Sequence, residues 1–420
     1  MKAKTAFILA FQEDTAMNSA RHTALHEVCF RPMLGYVLDA VQEVSEHKSV
    51  VLTGFDADRV ETYLKDRADF VRVEAAAQAA VALSYAVRQT EQDTGYALIV
   101  SGCAPLIKKE TLSRLIEAAN GNAAAALVAK REGEDGDFEA QKCLVCCVDL
   151  AFLKEAAGSI DSILESVRQN GFKVINVFAS EYECIGVRDR ASLWECNYLM
   201  NSFLVARHLD AGVSLLDPTK ILVSPDVEIG RDTVIYPNVI LSGKTKIGEN
   251  CVIYDGCRLK DTVVGNDCVL QSVVANETEI GNFVTAGPFV HLRPNTKIHN
   301  GCKVGDFVEV KNSTVGENTK LPHLSYIGDA DIGARVNVGC GCVVVNYDGF
   351  KKHRTVVGDD VFLGCQTNLV APITVGSNAY TAAGSTLTED VPSGALAIAR
   401  AYQKNIPGWV AKNREKKRGN

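Results

Sequence analysis

The stretch Ile229-Gly230-Arg231-Asp232-Thr233-Val234-Ile235-Tyr236-Pro237-Asn238-Val239-Ile240-Leu241-Ser242-Gly243-Lys244-Thr245-Lys246-Ile247-Gly248 decides the fold of half this chain. An aliphatic residue recurs every six positions, at Ile229, Ile235, Leu241 and Ile247, and the series runs on through Ile253 and Leu259. A second series holds Ile280, Ala286, Leu292, Ile298, Val304 and Val310, and a third Val357, Leu363, Leu369 and Val375. A period of six suits neither an α-helix nor the alternation of a strand. It predicts a left-handed parallel β-helix whose triangular coils take three hexapeptides each, one aliphatic residue per hexapeptide pointing inward. Glycine follows many of these positions, as at Gly230, Gly248 and Gly265, and is expected where the chain bends between faces. The repeat spans 221–391, about nine to ten coils. A solenoid has no deep pocket of its own, so a site on it is built from exposed coil residues and neighbouring subunits.

Upstream the pattern changes. Residues 1–190 alternate β-rich runs, Thr5 to Ala10, Ser49 to Thr53, Tyr96 to Ser101, Ala123 to Ala129 and Cys143 to Val148, with helical patterns. Those helices are expected at Met33 to Val44, Asp58 to Arg67, Ala76 to Gln89 and Lys109 to Ala119. Such alternation predicts an α/β domain on a mainly parallel, Rossmann-like sheet. A helical linker fills 191–220, and a repeat-free tail 392–420. With 420 residues, two domains are expected; an apolar fraction of 47% supplies ample core. A net charge of −7 argues against nucleic acid as a general partner. The basic run Lys412 to Arg418 reads as a solvated end. No segment approaches the ~20 apolar residues of a membrane-spanning helix. The 14 cysteines follow no disulfide framework, which suits reduced thiols in the cytoplasm. Cys143, Cys146 and Cys147 read as parts of a buried strand, and no metal site is expected.

Three interruptions of the repeat carry the chemistry. In Pro288-Phe289-Val290-His291-Leu292-Arg293-Pro294 and Phe307-Val308-Glu309-Val310-Lys311, Arg293 and Lys311 are one 18-residue coil apart. Stacked on one face, they suit a phosphate; a solvated basic face is the alternative. In Leu321-Pro322-His323-Leu324-Ser325-Tyr326, a histidine and a tyrosine suit a general base and a partner. The third, Asn346-Tyr347-Asp348-Gly349-Phe350-Lys351-Lys352-His353-Arg354, combines a turn signal with a cluster of cations.

These motifs, with Ile327-Gly328-Asp329-Ala330, Val357-Gly358-Asp359-Asp360, Asn368-Leu369-Val370-Ala371-Pro372 and Ala397-Ile398-Ala399-Arg400, resemble one family over about residues 287–409. It is the bifunctional bacterial glucosamine-1-phosphate N-acetyltransferase / N-acetylglucosamine-1-phosphate uridyltransferase of UDP-N-acetylglucosamine synthesis. The resemblance implies His323 as general base for the attack of the glucosamine amine on acetyl-CoA. It implies sugar-phosphate contacts at Arg293, Lys311, Tyr326 and Lys352, and positioning of sugar and acetyl group by Asn337, Asn346 and Tyr347. It places acetyl-CoA contacts at Cys340, Cys365, Ala383 and Arg400, and it implies a homotrimer. Cys340 stands where the family has a small residue such as alanine, and Cys365 where it has serine.

The same resemblance makes residues 1–190 a nucleotidyltransferase-like domain, and there the motifs fail. The family's loop Leu-Ala-Ala-Gly-x-Gly-Thr-Arg-Met reads Leu9-Ala10-Phe11-Gln12-Glu13-Asp14-Thr15-Ala16-Met17, and its Pro-Lys reads His22-Thr23. Gln12 and Asp14 replace glycines that let backbone N–H groups reach phosphate. The metal-binding Gly-Asp-x-Pro-Leu reads Gly102-Cys103-Ala104-Pro105-Leu106, Gly-Val-Asn reads Gly186-Val187-Arg188, and the nucleobase segment reads Ala79 to Ala86. Magnesium needs hard oxygen ligands, so uridyl transfer is expected to be lost; magnesium is implied only if that activity survives. Three alternatives stay open: an enzyme still bifunctional, an acetyltransferase for another phosphorylated amino sugar, and a trimeric scaffold without catalysis.

Overall fold

The computed structural model describes residues 2–90, 94–130 and 142–418. The chain divides into two compact units, Met1–Arg207 with Val223–Pro225, and His208–Leu222 with Asp226–Asn420.

The first unit is built on a seven-stranded sheet. Its order is Asp69–Arg72, Val50–Thr53, Thr5–Ala10, Tyr96–Ser101, Lys142–Asp149, Ala124–Lys130, Val174–Ser180. Strand pairs are parallel except where Lys142–Asp149 runs antiparallel to both neighbours. Successive side chains of a strand leave on opposite faces, and the central strands are apolar on both. Ile8, Leu98 and Val100 therefore pack under the helices Met33–Gln42 and Lys109–Ala119. Phe7, Ala97 and Ile99 pack under Ala79–Gln89 and Ile160–Gln169. The edge strands Asp69–Arg72 and Val174–Ser180 and the helix Ile160–Gln169 were not expected from the sequence. Edge strands bury one face at most, so Asp69, Arg72, Asn176 and Phe178 stay exposed and blur the apolar run. Cys146 and Cys147 are buried in the Lys142–Asp149 strand; the side chain of Cys143 lies outside the described residues. A helix follows at Arg190–Asp210. Among the described residues, no helix is long and apolar enough to cross a membrane.

The second unit is the left-handed β-helix. Parallel strands stack in three sheets of 11, 10 and 9, beginning at Ser214–Leu215 and ending at Leu396–Ala397. The period-six aliphatics form its core: Ile235, Leu241, Ile253, Leu292 and Val310 are fully buried, and Ile235 lies in register with Ile253, Leu241 with Leu259 and Leu292 with Val310 on successive coils. The glycines after them serve a purpose other than bending. A Cβ on Gly230 would come within 2.6 Å of the Gly248 carbonyl, and one on Gly265 within 2.7 Å of the Gly281 carbonyl carbon, so they let neighbouring coils touch. The left-handed turn positions are taken largely by Asn and Asp, for example Asn238, Asn250 and Asp267, whose short polar side chains tolerate them. The buried cysteines of the solenoid donate to the next coil: Cys251 Sγ–H to Gly265 O at 3.1 Å, Cys268 to Gly281 O at 3.0 Å, Cys302 to Gly316 O at 3.0 Å. The tail is helical over Trp409–Arg418, and Lys412, Arg414 and Lys417 on it are exposed.

Candidate functional site

Register decides what meets what on the solenoid. The strands Val290–Leu292, Glu309–Lys311, Tyr326–Gly328 and Val343–Val345 lie side by side in one sheet. His291 pairs with Glu309 and Leu292 with Val310, so Arg293 and Lys311 are stacked neighbours. Lys311 pairs in turn with Gly328, and Asn346 leaves the end of the following strand. Gly328 leaves room there, because a Cβ on it would lie 2.8 Å from Asn346 Nδ2 and 2.6 Å from the Tyr326 ring.

This edge is electrostatically unusual. The neighbouring Lys352 ammonium, then desolvation, and further off Arg293, hold Lys311 below the ordinary lysine pKa. Three cations thus crowd one another, a cost that a bound dianion would relieve. Their local counter-charges are already oriented. Arg293 Nη1 donates to Glu309 Oε1 at 2.8 Å. Asn346 Nδ2 donates to Asp329 Oδ2 at 2.5 Å, Asn312 Nδ2 to Asp329 Oδ1 at 2.5 Å, and Asn346 lies 3.5 Å from the Tyr326 hydroxyl. Burial opposes charge on Asp329, but those amides and the Lys311 and Lys352 charges win and keep its carboxyl below the usual range.

The adjacent corner carries the histidine. Asp306 pairs with His323 on the next coil, and His323 Nδ1 lies 2.6 Å from Asp306 Oδ1. A carboxylate accepts, so Nδ1 carries the proton and Nε2 presents its lone pair. Lys320 pairs with Asn337 and Tyr326 with Val343, each 17 residues on, which sets Cys340 over His323. Val338 pairs with Leu363 and Leu363 with Thr381, which sets Cys365 over Cys340 and Ala383 over Cys365. Asp306, His323, Cys340, Cys365 and Ala383 form one column along a single corner. Arg400 Cδ reaches within 4.0 Å of where a Gly384 side chain would begin, beside Ala383. Asn337 stands apart, on the Lys303–Lys320–Asn337–Phe362 column of the neighbouring sheet face.

The excursion 346–354 is ordered by its own polar groups. Asp348 Oδ1 accepts the Phe350 and Lys351 N–H groups at 2.8 Å, His353 Nε2 lies 2.6 Å from Asp348 Oδ2, and Tyr347 donates to Gly349 O at 2.7 Å. Arg354 clamps Asp331 at the exit. Asp306, Glu309 and Asp329 carry none of the roles expected from sequence, although counting one coil back from His323 or Tyr326 leads to the first two.

Many of these carboxylates titrate low: Asp306 beside His323, Asp331 beside Arg354, Asp360 beside Arg335. A carboxyl whose pKa is depressed by folding adds stability that is complete above its unfolded pKa, about 3.9, and is lost as pH falls through the lower folded value. Thermal unfolding followed by circular dichroism is expected to show a midpoint that starts to fall below about pH 6.5, where the unfolded chain takes up a proton that the buried His22 of the first unit, with its pKa lowered to about 4, refuses, and that falls further below about pH 4 as these carboxylates protonate. A midpoint that rises on acidification would contradict these assignments.

In the first unit the altered loops converge. Leu9, Phe11, Gln12, Asp14, His22, Ala79, Ser101, Cys103, Gly186, Val187 and Arg188 line one cavity of about 270 Å³. His22 is buried, and desolvation lowers its pKa to about 4, so it is neutral. Its Nδ1 accepts the Ala24 N–H at 3.1 Å. Burial pushes the Cys103 thiol far up and keeps it protonated. Among the described residues, no group of three or more His, Cys, Asp and Glu is placed to hold a metal ion.

Comparison with known proteins agrees with both halves. Residues 8–138 match the MobA-like NTP transferase domain, and 226–261 and 277–312 match the bacterial transferase hexapeptide family of six repeats. Over its whole length the chain is 38% identical to the bifunctional protein GlmU of Geobacillus sp. (strain WCH70), covering 98% of each. The chain belongs to the GlmU family. The GlmU of Thermoanaerobacter pseudethanolicus is also 38% identical, with all of both chains covered, and that of Clostridium beijerinckii 37%, covering 99% of this chain and 100% of its own. Members of the GlmU family at this distance place both halves of the chain among transferases.

Proposed function

We propose that the β-helix transfers the acetyl group of acetyl-CoA to the amine of glucosamine 1-phosphate, and that the first unit no longer transfers uridyl groups. The observation that carries the first half is His323, oriented by Asp306 from the coil before, beside the crowded cations Arg293, Lys311 and Lys352. The cations hold the sugar phosphate, and Tyr326 and Asn346, anchored on Asp329, orient the sugar. Asn337 and Tyr347 complete the acceptor and acetyl contacts. Acetyl-CoA supplies an activated thioester, which needs no metal to react with an amine. His323 Nε2 takes the proton that the amine gives up as it becomes an amide. Cys340, Cys365, Ala383 and Arg400 line the acyl-donor end of the corner. A scaffold without a private pocket closes its site against neighbouring copies, which supports a homotrimer working in the cytoplasm.

For the first unit, the donor set does not fit magnesium. A protonated thiol at Cys103 and a guanidinium at Arg188 stand where hard oxygens are required. Asp14 adds a negative charge where a triphosphate would lie.

One paired assay tests both halves. With acetyl-CoA and glucosamine 1-phosphate, free coenzyme A thiol is expected at steady state. With UTP, N-acetylglucosamine 1-phosphate and Mg²⁺, no pyrophosphate is expected. Pyrophosphate release would restore a bifunctional enzyme, absence of thiol release would favour a binding scaffold, and preference for another amino sugar would replace the acceptor.

A further inference from the structure

Cys340 and Cys365 are 25 residues apart in sequence but adjacent on the corner column. Gln366 N–H donates to Cys340 O at 2.8 Å, and Gly384 N–H to Cys365 O at 2.8 Å, so the turns repeat coil upon coil. Each cysteine precedes a residue of positive φ, 76° at Gly341 and 60° at Gln366, so both side chains start in the same direction. Stacked parallel strands lie about 4.8 Å apart. That falls within the Cα separation a disulfide accepts, roughly 4.4–6.8 Å, and slightly beyond its usual Cβ separation of about 3.5–4.5 Å. A bond made there is open to solvent at Cys365, and exposed disulfides are the ones readily reduced again.

Both thiols are reachable: Cys365 is exposed and Cys340 half-buried. Two other arrangements in the same solenoid show the contrast. Cys342 points inward and donates to Gly364 O at 3.2 Å. Cys251 and Cys268 also stack on successive coils and lie against each other, but both are buried, out of reach of a solvent oxidant. His323 is the next residue of the column.

We propose that Cys340 and Cys365 are an oxidative modification site, converted by hydrogen peroxide into a reversible disulfide across adjacent coils. The Cys340 thiolate attacks peroxide oxygen, giving a sulfenic acid and, with one proton, water. The Cys365 thiol then attacks that sulfur, the S–S bond forms, and the hydroxyl leaves with a proton as a second water. Two thiols are oxidised and one peroxide is reduced to two waters. That the bond closes the acyl-donor end of the site rests on the acetyltransferase reading above.

The native protein is exposed to hydrogen peroxide, alkylated with iodoacetamide, digested without reductant and read by mass spectrometry. A Cys340–Cys365 linked peptide that disappears with dithiothreitol is expected, with Cys251 and Cys268 unlinked. Acetyl transfer is expected to fall about tenfold or more and to return with dithiothreitol, because an exposed bond in the donor site is both blocking and labile. Full alkylation of Cys340 and Cys365 after peroxide, or linkage at Cys251–Cys268 instead, overturns the proposal. That result is read from peptides whether or not the protein turns over. Absence of acetyl transfer before oxidation would overturn the acetyltransferase reading and leave the linkage result standing.

Discussion

His323→Ala is expected to lower kcat for acetyl transfer by roughly 10²–10⁴-fold, the range for loss of a positioned general base. Glucosamine 1-phosphate should still bind, with a dissociation constant changed only a few fold, because on the proposed reading its phosphate is held by Arg293 and Lys311 of the neighbouring sheet and Lys352 of the excursion. Isothermal titration and steady-state thiol release separate the two quantities. Asp306 does not replace the missing imidazole: without His323 its carboxyl loses the bond that holds it low, but an ordinary carboxylate, near about 3.9, is still too weak a base to take the amine's proton at neutral pH. Unchanged turnover in the alanine variant would remove His323 from the reaction, and lost binding would give it a substrate contact instead.

A second large effect is expected from the smallest change on the same coils. Gly305 sits between Val304 in the core and Asp306, with Pro322 directly over it. A Cβ at Gly305 would overlap the Pro322 carbonyl oxygen and lie 2.7 Å from its carbon. Both are main-chain atoms of the strand that carries His323, so neither can swing aside. Gly305→Ala must part the coils at Asp306 and His323. Overpacking of this kind costs about 1–3 kcal/mol, measurable as a lower midpoint in urea. Activity should suffer more than stability, since a misplacement of about 1 Å at the reacting groups costs on the order of 10²-fold. Wild-type kcat in a variant of normal stability would show that coil spacing at this corner does not set the base.

How much of this was legible in the sequence depended on the range of the signal. The period-six aliphatics announced the solenoid because each one meets an apolar counterpart one coil on, so local pattern and final packing coincide. In the first unit, Thr5–Ala10 and Tyr96–Ser101 were readable because central strands are apolar throughout. Asp69–Arg72 was not, since an edge strand buries little and its exposed positions look like loop. The site shows the same division. His323, Arg293 and Lys311 stand in unusual local text. Asp306 and Asp329 look like ordinary turn carboxylates, and only the register shows that one holds the imidazole and the other the Asn346 amide. Cys340 and Cys365 read as two separate departures, because the excursion between them hides that they are neighbours. The glycine pattern was visible while its cause was not: contact between coils is a property of the stack and cannot be seen in one repeat.

That excursion has a consequence of its own. Thr314 meets Asp331 after 17 residues, whereas Asp331 meets Val356 after 25, yet the strands on either side keep perfect register. The extra length is looped out at one corner, closed by Asp348 and fastened at its exit by Arg354. Lengthening a loop that is already closed adds little entropic cost. Residues 346–354 are therefore a detachable cartridge on a fixed spindle. On the reading proposed above, acceptor preference is free to drift through their replacement while Asp306 and His323, wound into the spindle itself, stay as they are.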